Sequence, residues 1–77
     1  MSGAGVDPTE RVQTLLLRGD ELLASGDPES LDEALLAYEG ARDAAGNPAV
    51  GSELRTVVEE RLASVRERLE KRGATGG

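Results

Sequence analysis

Histidine, cysteine, tryptophan and phenylalanine are all absent from this 77-residue chain, and Tyr38 is its one aromatic residue. Without cysteine there is no disulfide, no thiol nucleophile and no thiolate metal site. Without histidine the commonest general base and the commonest transition-metal ligand are missing. A core must therefore come from leucine, valine and alanine, which suits helix packing. A chain this short is one domain at most, close to the lower limit for folding on a hydrophobic core alone.

Basic residues are in short supply. Nine Lys and Arg stand against fifteen Asp and Glu, for a net charge of −6. Nucleic-acid binding draws most of its affinity from cations that neutralise phosphates, so DNA and RNA are not expected partners. Anionic membrane surfaces are disfavoured for the same reason. No apolar run approaches the roughly 20 residues that span a bilayer, so membrane insertion is not expected. The stretch Met1-Ser2-Gly3-Ala4-Gly5 lacks the charged and apolar regions of a secretory leader, and a cytoplasmic location is the expectation.

What the chain does have is regular punctuation. Asp7-Pro8, Asp27-Pro28 and Asn47-Pro48 fall 20 residues apart. An Asp or Asn can cap free backbone N–H groups, and Pro at the first helical position loses no hydrogen bond. Gly26, Gly46 and Gly73 stand where left-handed helix ends are wanted. Helix 1 is predicted from Pro8 to Ser25, with Asp7 as cap, Glu10 at the capping-box position, and a stripe of Val12, Leu15, Leu16, Gly19, Leu22 and Leu23. Gly19 within that stripe predicts a close helix approach. Helix 2 is predicted from Pro28 or Leu31 to Ala45, depending on whether Asp27 or Ser30 caps it. Its stripe is Leu31, Ala34, Leu35, Tyr38, Ala41 and Ala45. Helix 3 is predicted from Pro48 or Ser52 to Arg72, with Leu54, Val57, Val58, Leu62, Val65 and Leu69 in line.

One apolar stripe per helix and short connections predict an all-α, antiparallel three-helix bundle. The domain covers residues 7–73, with residues 1–6 and 74–77 expected as disordered tails.

Catalytic constellations are not apparent. Asp32-Glu33 and Glu59-Glu60 are paired carboxylates on polar faces, where solvated charge is the plain reading, whereas acid–base work needs a pocket that shifts their pKa. No calcium loop and no Gly-rich phosphate loop is present. No enzyme activity, cofactor or metal is expected. Segment 27–43 carries six acids and one base, and Arg66, Arg68, Lys71 and Arg72 cluster near the end of helix 3. Complementing the helix dipole accounts for much of this asymmetry. An acidic face for a basic partner, or a basic tip for an acidic one, is the functional alternative. Leu17 and Leu36 fall opposite their stripes, and together they would form a partner-binding patch if they share a side. Arg61 places a charge inside the stripe of helix 3, either snorkelling to water or pairing with an acid of helix 2.

The run Gly19-Asp20-Glu21-Leu22-Leu23-Ala24-Ser25-Gly26-Asp27, followed by Leu31-Asp32-Glu33-Ala34-Leu35-Leu36-Ala37-Tyr38-Glu39-Gly40-Ala41, resembles one tetratricopeptide repeat. Gly19 stands at the small position of the first helix, Leu22 at the large one, Gly26-Asp27 at the turn, and Ala34, Tyr38 and Ala41 in the second helix. The insertion Pro28-Glu29-Ser30 and a late Pro48 depart from that pattern, and no large aromatic opens the first helix. One such hairpin with a long third helix is similar to the microtubule-interacting and transport domain. That resemblance implies a three-helix bundle binding short segments in a groove between helices 1 and 3 or 2 and 3.

The expected function is thus a non-catalytic protein-interaction module for a partner peptide or protein segment. Leu17, Leu36, Arg61, Arg66 and Arg68 are its candidate partner-binding residues. The protein is expected to be a monomer or weak homodimer. Two alternatives stay open. Ser30-Leu31-Asp32 resembles the attachment motif of acyl carrier proteins, although Glu29 precedes the serine and the loop is too short. A homodimeric assembly protein is the other. The Gly76-Gly77 end also resembles that of conjugated modifiers, which are mostly β-rich.

Overall fold

A computed structural model of the chain describes residues 7–75, with side chains from 7 to 72. It is an all-α three-helix bundle: α1 (Pro8–Ser25), α2 (Pro28–Ala45) and α3 (Ser52–Thr75). The expected tails at 1–6 and 76–77 lie outside the described residues.

The two connections are built differently. At the end of α1, Gly26 takes φ +79°, the left-handed conformation that costs glycine least, and its N–H reaches Leu23 O. Two residues then suffice to reverse the chain. Pro28 opens α2, so the earlier of its two predicted starts is realised, yet Asp27 makes no side-chain cap bond. The Ser30 hydroxyl is no cap either, because it shares a 2.8 Å hydrogen bond with Ser25 Oγ. At α1 the Asp7 cap forms as expected, accepting from Thr9 N at 3.0 Å.

Gly46 corrects the glycine reading. It is right-handed, with φ −68°, and its N–H bonds back to Asp43 O in a tightened last turn. Asn47 then caps a turn through Ala49 N at 2.9 Å, and Val50 N donates to Asn47 O. That turn drops Val50 into the core at 2% exposure, a position the stripe analysis did not contain. The third helix therefore begins at Ser52 rather than Pro48. It also passes through Gly73 to Thr75, two residues into the segment expected as tail. A glycine costs a helix only about 1 kcal/mol, which does not oblige it to stop.

α2 is the central element. It packs along α1 on one side and along α3 on the other, whereas α1 and α3 touch little. Contacts of Leu15 with Gly40 and of Gly19 with Tyr38 run in opposite chain directions, so α1 and α2 are antiparallel. Ion pairs of Arg42 with Glu59 and Arg66 with Glu39 show the same for α2 and α3. Val12, Leu16, Ala34, Tyr38, Ala41, Ala45, Val50, Val58, Leu62 and Val65 form the buried core, and all but Val50 come from the predicted stripes. Ala37, off the predicted stripe, is buried too, as expected for a helix covered on both flanks.

Candidate functional site

The weak α1–α3 contact leaves a seam, and it is floored by apolar side chains. Its lower reach is bordered by Thr9, Gln13, Glu53, Leu54 and Val57. Its middle, a cleft of about 380 Å³, is lined by Leu23, Val57, Glu60, Arg61, Ser64 and Arg68. Its upper reach, about 290 Å³, is lined by Leu22, Leu23, Leu31, Asp27, Arg68 and Arg72, among others. Val57 joins the first two stretches, and Leu23 with Arg68 joins the last two. Along α3, Leu54 to Arg72 covers about 27 Å at 1.5 Å per residue.

One polar cluster bridges the seam. Tyr38 is fully buried, and its hydroxyl donates to Asp20 Oδ1, which also meets Arg61 Nε at 3.5 Å. A residue from each helix is thereby tied at one carboxylate. Burial raises the Tyr38 pKa well above its ordinary 10.0, and the hydrogen bond to Asp20 and that carboxylate's charge push the same way. Arg61 and Arg68 oppose the shift. This cluster corrects the reading of Arg61. Its partner is Asp20 on α1, not an acid of α2, because position 61 faces the seam.

The other candidates separate. Arg66 pairs with Glu39 across the α2–α3 border at 3.9 Å, away from the seam. Arg68 lies in the seam, exposed, and forms no ion pair or hydrogen bond among the described residues. Leu17 and Leu36 are 64% and 67% exposed, as their off-stripe positions predict. Helical neighbours lie three and four residues apart. Leu17 sits beside Gln13 and Asp20, which border the α1–α3 seam, whereas Leu36 sits beside Asp32 and Glu39, which pair with Arg72 and Arg66 of α3.

Sequence reasoning missed Leu22, Leu23, Leu31 and Val57 as site residues, because their stripe positions assigned them to the core. All four are half-buried. No stripe, taken helix by helix, shows which of its residues lie at the edge of an incomplete interface.

The chain matches no family model, no curated protein and no solved structure. Among the described residues no group of three or more acidic side chains is placed to hold a metal ion, and no helix is long and apolar enough to cross a membrane.

Proposed function

We propose that this protein is a non-catalytic interaction module that holds a segment of a partner protein in the α1–α3 seam. The observation that carries this is the open seam itself. Leu22, Leu23, Leu31 and Val57 remain half-buried there, so covering them would remove further apolar surface from water at about 25 cal/mol per Å². The likeness to tetratricopeptide and microtubule-interacting and transport helices favours the same reading. The small-on-large contact of Gly19 with Tyr38 and the two-residue turn at Gly26-Asp27 agree with it. A cytoplasmic location and a monomeric state belong to the proposal. The carrier alternative has less support, since the Ser30 hydroxyl is engaged by Ser25.

Affinity purification from the native host, with intact mass of the bait and stoichiometry of what accompanies it, tests the proposal. A stoichiometric partner lost from Val57→Glu but retained by Leu36→Glu is the expected result. A partner lost only from Leu36→Glu would move the site to the outer face of α2. A pantetheine mass on Ser30 would make the protein a carrier, and a bait recovered only as a dimer would make it an assembly protein.

A further inference from the structure

The upper reach of the seam has walls of its own kind. Leu22, Leu23 and Leu31, all half-buried, line it together with Pro28, and neither of the other two stretches gathers as many apolar side chains. Three charged residues border the same cleft. Arg72 is engaged, by Asp32 at 3.5 Å and by Pro28 O at 2.8 Å. Asp27, in the turn between α1 and α2, and Arg68, on α3, are exposed and form no ion pair among the described residues, with each other or with any other group. The Asp27 carboxylate makes no cap bond either. The cleft thus presents one group that can only accept and one that can only donate, neither answered by the protein, beside three leucines.

These features narrow what can enter. A carboxylate would meet Arg68 but also Asp27, and a cation would meet Asp27 but also two guanidinium groups. An aliphatic side chain would cover the leucines yet strip water from Asp27 and Arg68 and return nothing, and polar groups desolvated without a partner are costly. An aromatic ring answers Arg68, because its face is negative and a guanidinium stacks on it. A ring that also carries an N–H answers Asp27. Indole has both, and its face is the best of the three aromatic side chains for a cation. Phenylalanine lacks the donor, and tyrosine offers a weaker face. Size agrees: an apolar cavity of about 150 Å³ accepts a benzene ring, and this cleft of about 290 Å³ has room for a bicyclic one. A second copy of the chain cannot supply the ring, since the sequence contains no tryptophan and Tyr38 is fully buried.

We infer that the upper reach of the α1–α3 seam receives a tryptophan side chain of the partner segment. The indole lies against Leu22, Leu23 and Leu31, turns its face to the Arg68 guanidinium and donates its N–H to the Asp27 carboxylate. A buried aromatic anchor in a pocket is the usual way in which a few residues carry most of an interface's affinity. The inference rests on the seam being the binding site and adds the side chain that anchors the partner there.

The test titrates the isotope-labelled full chain with three probes: N-acetyl-tryptophanamide, its counterpart methylated on the indole nitrogen, and N-acetyl-leucinamide. Amide and methyl shifts report where each binds and how tightly. The tryptophan probe should bind tightest, move the amides of Leu22, Leu31 and Arg68, and shift the Leu22 and Leu31 methyl resonances upfield under its ring. Methylating the indole nitrogen removes a hydrogen bond to a charged acceptor and should weaken binding by roughly tenfold. In Asp27→Ala the two indoles should bind alike, a result that a merely structural loss would not produce. Arg68→Gln should weaken both indoles by roughly two- to fivefold and leave the leucine probe unaffected. A leucine probe that binds as well as tryptophan would overturn the assignment and make the cleft an aliphatic anchor site. Equal binding of the two indoles to the unaltered protein would overturn it as well, by removing Asp27 from recognition. Shifts centred on Leu36 or elsewhere, or none up to the solubility of the probes, would overturn the cleft as an anchor site. The wider seam is judged apart from all of these, by loss of the partner from Val57→Glu.

Discussion

The Tyr38 ring fills the space that a side chain at position 19 would need. A Cβ built on Gly19 would stand 2.7 Å from Tyr38 Cζ, well inside van der Waals contact, and the ring is fully buried with no room to retreat.

Gly19→Ala is therefore expected to destabilise the fold although alanine is the better helix former. Overpacking costs about 1–3 kcal/mol, against about 1 kcal/mol gained in helix propensity. A melting temperature lower by several degrees is expected from thermal denaturation of the two proteins. An unchanged or higher value would mean that α1 and α2 can part without loss.

Alkaline titration reads the same interface. The folded protein holds Tyr38 protonated above its ordinary pKa of 10.0, whereas the unfolded chain ionises it there. Above that pH the folded state binds more protons than the unfolded one, so stability is intact below about pH 10 and declines as pH rises further. Tyr38 is the only tyrosine, so tyrosinate absorbance reports this one group. Tyrosinate absorbance near 295 nm should appear together with loss of helical circular dichroism. Tyr38→Phe should flatten the alkaline decline, at a cost near neutrality of about 1 kcal/mol for the lost hydrogen bond. Tyrosinate forming while helicity stays whole would contradict the buried hydroxyl.

Arg55 straps the second connection. Its Nε donates to Ala45 O at 3.0 Å and its Nη2 to Val50 O at 3.3 Å, satisfying carbonyls at the end of α2 and in the turn that buries Val50. Arg55→Ala should lower stability by about 1–2 kcal/mol in urea unfolding. The amide protons of Val50 and Arg55 should exchange faster, while those at Gly19 and Tyr38 should change no more than global stability requires.

Most of the fold was legible because burial follows helical periodicity. Val12, Leu16, Ala34, Tyr38, Val58, Leu62 and Val65 were all assigned to stripes and are all buried. Helix starts were less legible. Asp27, Ser30 and Pro48 each carry a plausible cap or start signal, and the choice among them turned on the Ser25–Ser30 contact and on where Val50 could be buried. Those are contacts between segments, invisible to local pattern. The seam was illegible for the same reason. Leu23 and Val57 read as core in their own helices, and only the packing of α2 between its neighbours leaves them at an edge. Arg61 signalled its special place as a charge within a stripe, but not which helix would answer it.

The two exposed leucines give a direct contrast. Leu17→Glu and Leu36→Glu should each leave stability within about 0.5 kcal/mol, since neither side chain is buried. For a peptide bound in the seam, Leu17→Glu is expected to weaken affinity, measured by isothermal titration, and Leu36→Glu to leave it unchanged. Equal losses from both would place a single surface across both leucines.

α3 presents two faces with separate duties. Val58, Leu62 and Val65 are buried in the core, while Val57, Glu60, Ser64 and Arg68 look into the seam. Glu60, Ser64 and Arg68 are exposed, whereas Val57 is half-buried and also packs against that core. A lineage carrying this fold can thus drift at positions 60, 64 and 68, exploring new specificities, while Val57 and the residues that keep it folded stay under unchanged selection.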